Sequence, residues 1–137
     1  MHKLMIGTAA GLCLVTGTAL AVDADKTILC AVTQVEDCIV GGGCETVQPE
    51  DVNAPTFLRV NLKKNEIVVR PSQPPTKIEH REQVENRLML QGAEDGNENR
   101  PDGVGWTLSI GMDTGRFVAA IAATDASITL FGACTEI

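Results

Sequence analysis

The chain has 137 residues and a formal net charge of −7, from 11 Lys and Arg against 18 Asp and Glu. That balance argues against nucleic acid or an anionic membrane as the main partner, because both call for a basic face. One tryptophan, three phenylalanines and no tyrosine argue against aromatic stacking platforms, and the length suits one domain rather than two.

Residues 1–21, MHKLMIGTAAGLCLVTGTALA, have the form of a signal peptide. Lys3 precedes an apolar stretch, and Ala19-Leu20-Ala21 offers the small residues that signal peptidase requires, so cleavage is predicted before Val22. A membrane anchor over Leu4–Ala21 fits less well, since that stretch holds three Gly and three Thr and barely reaches spanning length. Cys13 follows Leu12, not the small residue a lipoprotein signal needs, and leaves with the leader. The remainder, 22–137, is expected to be a single exported domain in the periplasm or outside the cell, with no membrane insertion. Without the leader's one Lys its charge is −8.

Thr27–Val35 is predicted as a first strand, with Ile28, Cys30 and Val32 on one face. Ile39–Cys44, containing three consecutive glycines, is predicted as a tight loop. Pro49–Asn53 suits one helical turn, with proline at a tolerated first position, and Pro55 stops it. Two hairpins follow from turn chemistry, at Leu62–Glu66 and Met112–Arg116. Each is expected to have a three-residue loop ending in a residue that tolerates the left-handed region, Asn65 or Gly115. This register sets Val60 opposite Val68. In the second hairpin it sets Ile110 opposite Val118, Leu108 opposite Ala120, and Trp106 opposite Ala122. Trp106 then becomes a central core residue, while Phe117 and Ile121 point to the other face. There they are either covered by the Cys38–Pro55 segment or form an exposed apolar patch suited to a partner. Thr76–Val84 and Arg87–Gly92 pair around Glu85-Asn86, and Ser127–Cys134 is the last strand. Residues 93–104 form an acidic, Gly- and Asn-rich loop expected to be mobile. About eight strands with short connections predict an all-β antiparallel meander, a small barrel in preference to a sandwich.

Four cysteines remain after the leader: Cys30, Cys38, Cys44 and Cys134. In a small exported domain an even number points to two disulfides. Zinc is disfavoured, because no Cys-x2-Cys pair occurs and His80 is the sole histidine outside the leader. A Cys30–Cys38 bridge would span roughly 26 Å of extended strand, whereas bridged α-carbons lie within about 7 Å. Gly41-Gly42-Gly43 allows Cys38 to meet Cys44. Closure of a barrel sets the first and last strands together, which predicts Cys30–Cys134.

Candidate chemistry is sparse. His80 lies among alternating charges without a nucleophile's sequence context, which reads as a solvated strand. Asp95, Asn97 and Asn99 match the start of a calcium loop, but Arg100 and Trp106 occupy its required Gly and Glu positions. Asp113-Thr114-Gly115 matches an aspartic protease triplet, yet turn geometry accounts for all three residues. The chain is therefore expected to be a binding protein and not an enzyme, with no cofactor and no metal. Its candidate partner contacts are Phe117 and Ile121, and the loop acids Glu94, Asp95, Glu98 and Asp102.

Through Cys30, Cys38 and Cys44, then Gly105-Trp106-Thr107-Leu108 and Phe131-Gly132-Ala133-Cys134-Thr135, nearly the whole mature chain resembles an uncharacterised family of small exported proteins of Gram-negative bacteria. The resemblance implies export and a β-rich domain and no particular activity. Periplasmic inhibitors of C-type lysozyme are similar in size and architecture, but their Ser/Gly-rich inhibitory segment has no clear counterpart here. The expected function is binding, of a protein partner or a small apolar ligand. The alternative is inhibition of a basic hydrolase through the 93–104 loop.

Overall fold

Alternating apolar and polar residues, broken every few positions by turn formers, produce strands and almost nothing else. A computed structural model describes residues 26–96, 98 and 101–137. The expected leader and its cleavage point, and Asn97, Asn99 and Arg100 of the acidic loop, lie outside the described residues. The strands are β1 (Thr27–Ile39), β2 (Gly43–Val47), β3 (Phe57–Asn61), β4 (Glu66–Val68), β5 (Thr76–Lys77), β6 (His80–Val84), β7 (Arg87–Glu94), β8 (Val104–Gly111), β9 (Arg116–Ala122) and β10 (Ala126–Glu136). Among the described residues one 3₁₀ turn, Pro49–Val52, occupies the place predicted for a helical turn.

All pairings are antiparallel within one sheet, in the order β5-β4-β3-β1-β10-β9-β8-β7-β6, with β2 added to the second half of β1. A single continuous sheet rules out the two-sheet sandwich. Its two terminal strands, β5 and β6, are consecutive parts of one run. Ile78 N–H donates to Asn65 O at 2.8 Å, on the β4 side, and Glu79 N–H donates to Gln91 O at 2.9 Å, on the β7 side. The same segment thus reaches both ends of the sheet, which gives the curled sheet its barrel-like closure. The expected single strand Thr76–Val84 is for this reason two strands, split where it changes partner.

The strand count rises to ten also because Gly43–Val47, which begins inside the tight loop expected over Ile39–Cys44, pairs back on β1. Cys38 is directly opposite Cys44 there, and Cys30 is directly opposite Cys134 between β1 and β10. Both predicted disulfides are present. β1 contains one register shift, between Val32 and Gln34. Thr33 is the extra residue, and its hydroxyl donates to Phe131 O at 3.2 Å. The bulge re-phases the strand, so Ile28, Cys30, Val32 and then Val35 all face inward.

Both hairpin registers differ from expectation by one residue. Val60 pairs with Ile67 and not Val68; Ile110 pairs with Phe117, Leu108 with Ala119 and Trp106 with Ile121. Asn65 and Gly115 do have the positive φ foreseen for them, 52° and 69°, but each ends a loop of four residues. Because side chains alternate along a strand, one residue of slip exchanges the two faces of β9. Phe117 is therefore 2% exposed in the core, while Val118 points outward at 38%. The exposed patch considered for Phe117 and Ile121 does not form. Phe117, Ala119 and Ile121 face the interior with Ile28, Leu88, Leu90, Leu108, Ile110 and Leu130.

Candidate functional site

Strand direction divides the barrel into two ends. The turns 62–65, 85–86 and 112–115, together with Thr27 and Glu136, lie at one end. The turns 40–42 and 123–125, the segments 48–56 and 69–75, and the acidic loop lie at the other. The second end has the longer connections, and the interior is incompletely filled there. A cavity of about 140 Å³ is lined by Leu58, Ile67, Trp106, Ala119, Ile121 and Leu130 among others, with almost no polar surface. Glu94 and Thr76 contribute to its edge.

Trp106 is placed by its cross-strand neighbours, Gly92 on β7 and Ile121 on β9. A Cβ at residue 92 would fall 2.5 Å from Trp106 Cζ2, so only glycine lets the indole lie across that strand. The ring is half-buried on the cavity wall, not at the centre of the core as its sequence position suggests. Its Nε1 is buried and has no hydrogen-bond partner. An unpaired buried donor costs on the order of 1–3 kcal/mol, so this wall is not arranged for maximum stability.

Beside the cavity, and sharing Ile121 with it, is a wider groove of about 350 Å³. Ile39, Val52, Ile121 and Ile128 form its apolar lining, while Asp37, Asp102 and Asp125 supply carboxylates. Thr124 Oγ1 donates to Asp102 Oδ2 at 3.2 Å, fastening the acidic loop to the β9–β10 turn. Val40 N–H donates to Asp125 O at 2.9 Å, fastening the β1–β2 turn to the same place.

Of the residues singled out from sequence, Ile121 and Asp102 are brought into this region, and Glu94 to its margin. Asp95 and Glu98 are exposed in the loop, and Phe117 sits beneath the surface in the core. His80 is exposed on β6 opposite Gln91, and Asp113 is an exposed turn residue at the opposite end. Among the described residues, no three His, Cys, Asp or Glu side chains converge to hold a metal ion. Asp37, Asp125, Ile128 and Ala119 were not apparent from sequence as parts of a site. The usable signal was volume: Phe117, Ala119 and Ile121 are together bulkier than Val118, Ala120 and Ala122, which favours the former set inside.

Comparison with protein-family models, with curated proteins and with solved structures returns no match. The functional reading therefore rests on the geometry of the open end.

Proposed function

We propose that this is an exported, non-enzymatic binding domain that takes a small apolar group into the cavity at the open end of its barrel. The cavity itself carries the reading, because an apolar void beside Trp106 is a ready place for a hydrophobic guest. Its scale is informative: an engineered cavity of roughly 150 Å³ lined by Leu, Ile and Phe stays dry and binds benzene or xenon. One ring, or the end of one aliphatic chain, is the matching guest. Export is supported by the leader-like segment and by two disulfides, which persist in oxidising compartments. No helix among the described residues is long and apolar enough to cross a membrane.

Trp106 is the chain's one tryptophan, so its emission reports on the cavity directly. Titration with benzene is expected to give a saturable change in that emission. Ala119→Val, which adds volume to the wall, is expected to abolish the change while the protein keeps its cooperative melting. A change that fails to saturate, or that persists in Ala119→Val, overturns the reading.

A second reading is inhibition of a basic hydrolase through residues 93–104, favoured by the attachment of Asp102 to Thr124. Neutralising Glu94, Asp95, Glu98 and Asp102 should then slow association with a basic target, most clearly at low salt.

A further inference from the structure

The groove beside the cavity has a composition that the cavity lacks. Its lining is apolar through Ile39, Val52, Ile121 and Ile128, and its carboxylates come from three separate elements: Asp37 on β1, Asp102 in the acidic loop and Asp125 in the β9–β10 turn. Among the described residues no Lys or Arg lines it. The ion pairs Lys26–Glu136 and Lys64–Glu66 lie at the other end of the barrel. Ile39 and Val40, 54% and 74% exposed, continue the apolar surface past the groove onto the β1–β2 turn.

We infer that this groove is a docking surface for a partner polypeptide segment in which Lys or Arg alternates with large apolar residues. Charge complementarity selects the basic residues, and the isoleucine lining selects the apolar ones. The spacing of the acids selects a chain over an ion. Asp37, Asp102 and Asp125 do not converge on one point, so they match charge distributed along a segment and not a single metal ion or ammonium. The groove, at about 350 Å³, is also larger than a lone amine would fill. Its rims are held before any partner arrives, by Thr124 on Asp102 and by Val40 on Asp125. A preformed surface loses less freedom on binding. The groove shares Ile121 alone with the benzene-sized cavity, and its carboxylates are not part of that cavity, so either site can fail without the other.

The test is an NMR titration of the ¹⁵N-labelled protein with the peptide acetyl-Leu-Lys-Leu-Arg-Leu-amide. Saturable shifts are expected at the amides of Asp37, Ile39, Asp125 and Ile128, unchanged when benzene is present. Acetyl-Gly-Lys-Gly-Arg-Gly-amide, with equal charge and no apolar side chain, is expected to bind at least about tenfold more weakly. Asp37→Asn with Asp125→Asn is expected to weaken the leucine peptide by about tenfold at low salt and less at high salt. Asp125→Asn alone, in an exposed turn whose structural bond uses the backbone carbonyl, keeps the fold and should show part of the loss. Equal binding of the glycine peptide, unchanged affinity in the aspartate variants, or shifts centred on the opposite end would overturn the proposal. Octylamine binding the same amides more tightly than the peptide would also overturn it, in favour of a small-amine site.

Discussion

The two ends of one barrel are built from the same strands and have opposite characters. At the closed end, turns of two to four residues bring neighbouring strands straight back. Asn65, Glu85 and Gly115 adopt positive φ there, and Lys64 N–H donates to Asn61 Oδ1 at 3.1 Å. Met112 N–H donates to Asn86 O, and Cys134 N–H to Gly115 O. Beneath these turns Leu62, Leu88, Ile110 and Phe117 are almost fully buried, and Lys and Arg are interspersed with acids. At the open end two turns are equally short, but the segments 48–56 and 69–75 and the acidic loop are longer, Ala119 and Gly92 supply little volume, and Asp37, Glu94, Asp102 and Asp125 gather. Short turns force side chains to fill the lumen, whereas long connections let the strands end before the lumen is filled. The difference arises from connection length and residue size, with no change in the sheet itself.

The largest expected effect tests the seam on which both ends depend. Replacing Cys30 and Cys134 together by Ala removes a bridge across 104 positions, worth about 4–5 kcal/mol in the chain-entropy account. Urea unfolding should show it as a lowered midpoint with a steeper slope, because the denatured chain without the bridge exposes more surface; a loss under about 1 kcal/mol would show that the seam holds without the bridge.

Next come the two aromatic residues, one at each end. Phe117→Ala should cost about 3–5 kcal/mol, since the ring is enclosed. Trp106→Ala should cost clearly less, because the ring is half-buried and its Nε1 has no partner to lose. Equal losses would erase the distinction between a packed end and an open one.

The Cys38–Cys44 bridge closes a separation of only six residues. Its replacement by two alanines should cost about 2 kcal/mol and leave the Phe117 core intact by near-ultraviolet circular dichroism. Loss of that signal would mean that the β1–β2 ribbon supports the far end as well.

The smallest effect is at Glu36, on the outer surface of β1. Hydrogen bonds from Thr46 Oγ1, at 2.6 Å, and from Gln34 Nε2 hold its pKa below the usual glutamate value. A carboxyl depressed in the folded state stabilises above its unfolded pKa, and that stabilisation is lost as pH falls through the folded value. Thr46→Val should raise the Glu36 titration midpoint toward its ordinary value in a carbon-detected NMR titration, with almost no change in melting at neutral pH. An unmoved midpoint would remove Thr46 as the main cause.

The adjacency of β1 and β10, both disulfides, the 3₁₀ turn and the positive φ of Asn65 and Gly115 follow from residue type and spacing, whereas the positive φ of Asn53 and Glu85 does not. What failed was loop length. Asn65 and Gly115 suit the last position of a three-residue or a four-residue loop equally well, so they fix the turn's end and not its size. The packing of Phe117 decided the register, and that is a tertiary effect. β2 escaped notice because Glu45 and Thr46 face solvent and leave no apolar alternation. The cavity and groove are less readable still. They are places where side-chain volume is missing or carboxylates from distant positions meet, and no local pattern encodes either.

The pairing of β1 with β10 also dictates an order of assembly. A chain emerging from its amino end presents Cys30, Cys38 and Cys44 long before Cys134. Cys38 and Cys44 can meet across a short loop at once, which leaves Cys30 as an unmatched thiol on a strand still lacking its neighbour. Any early exchange between that thiol and the small ring must be undone by reshuffling, a process of seconds to hours. The last strand therefore acts as the clasp of the molecule: until it arrives, the first strand has an open edge and the lumen has no wall on one side.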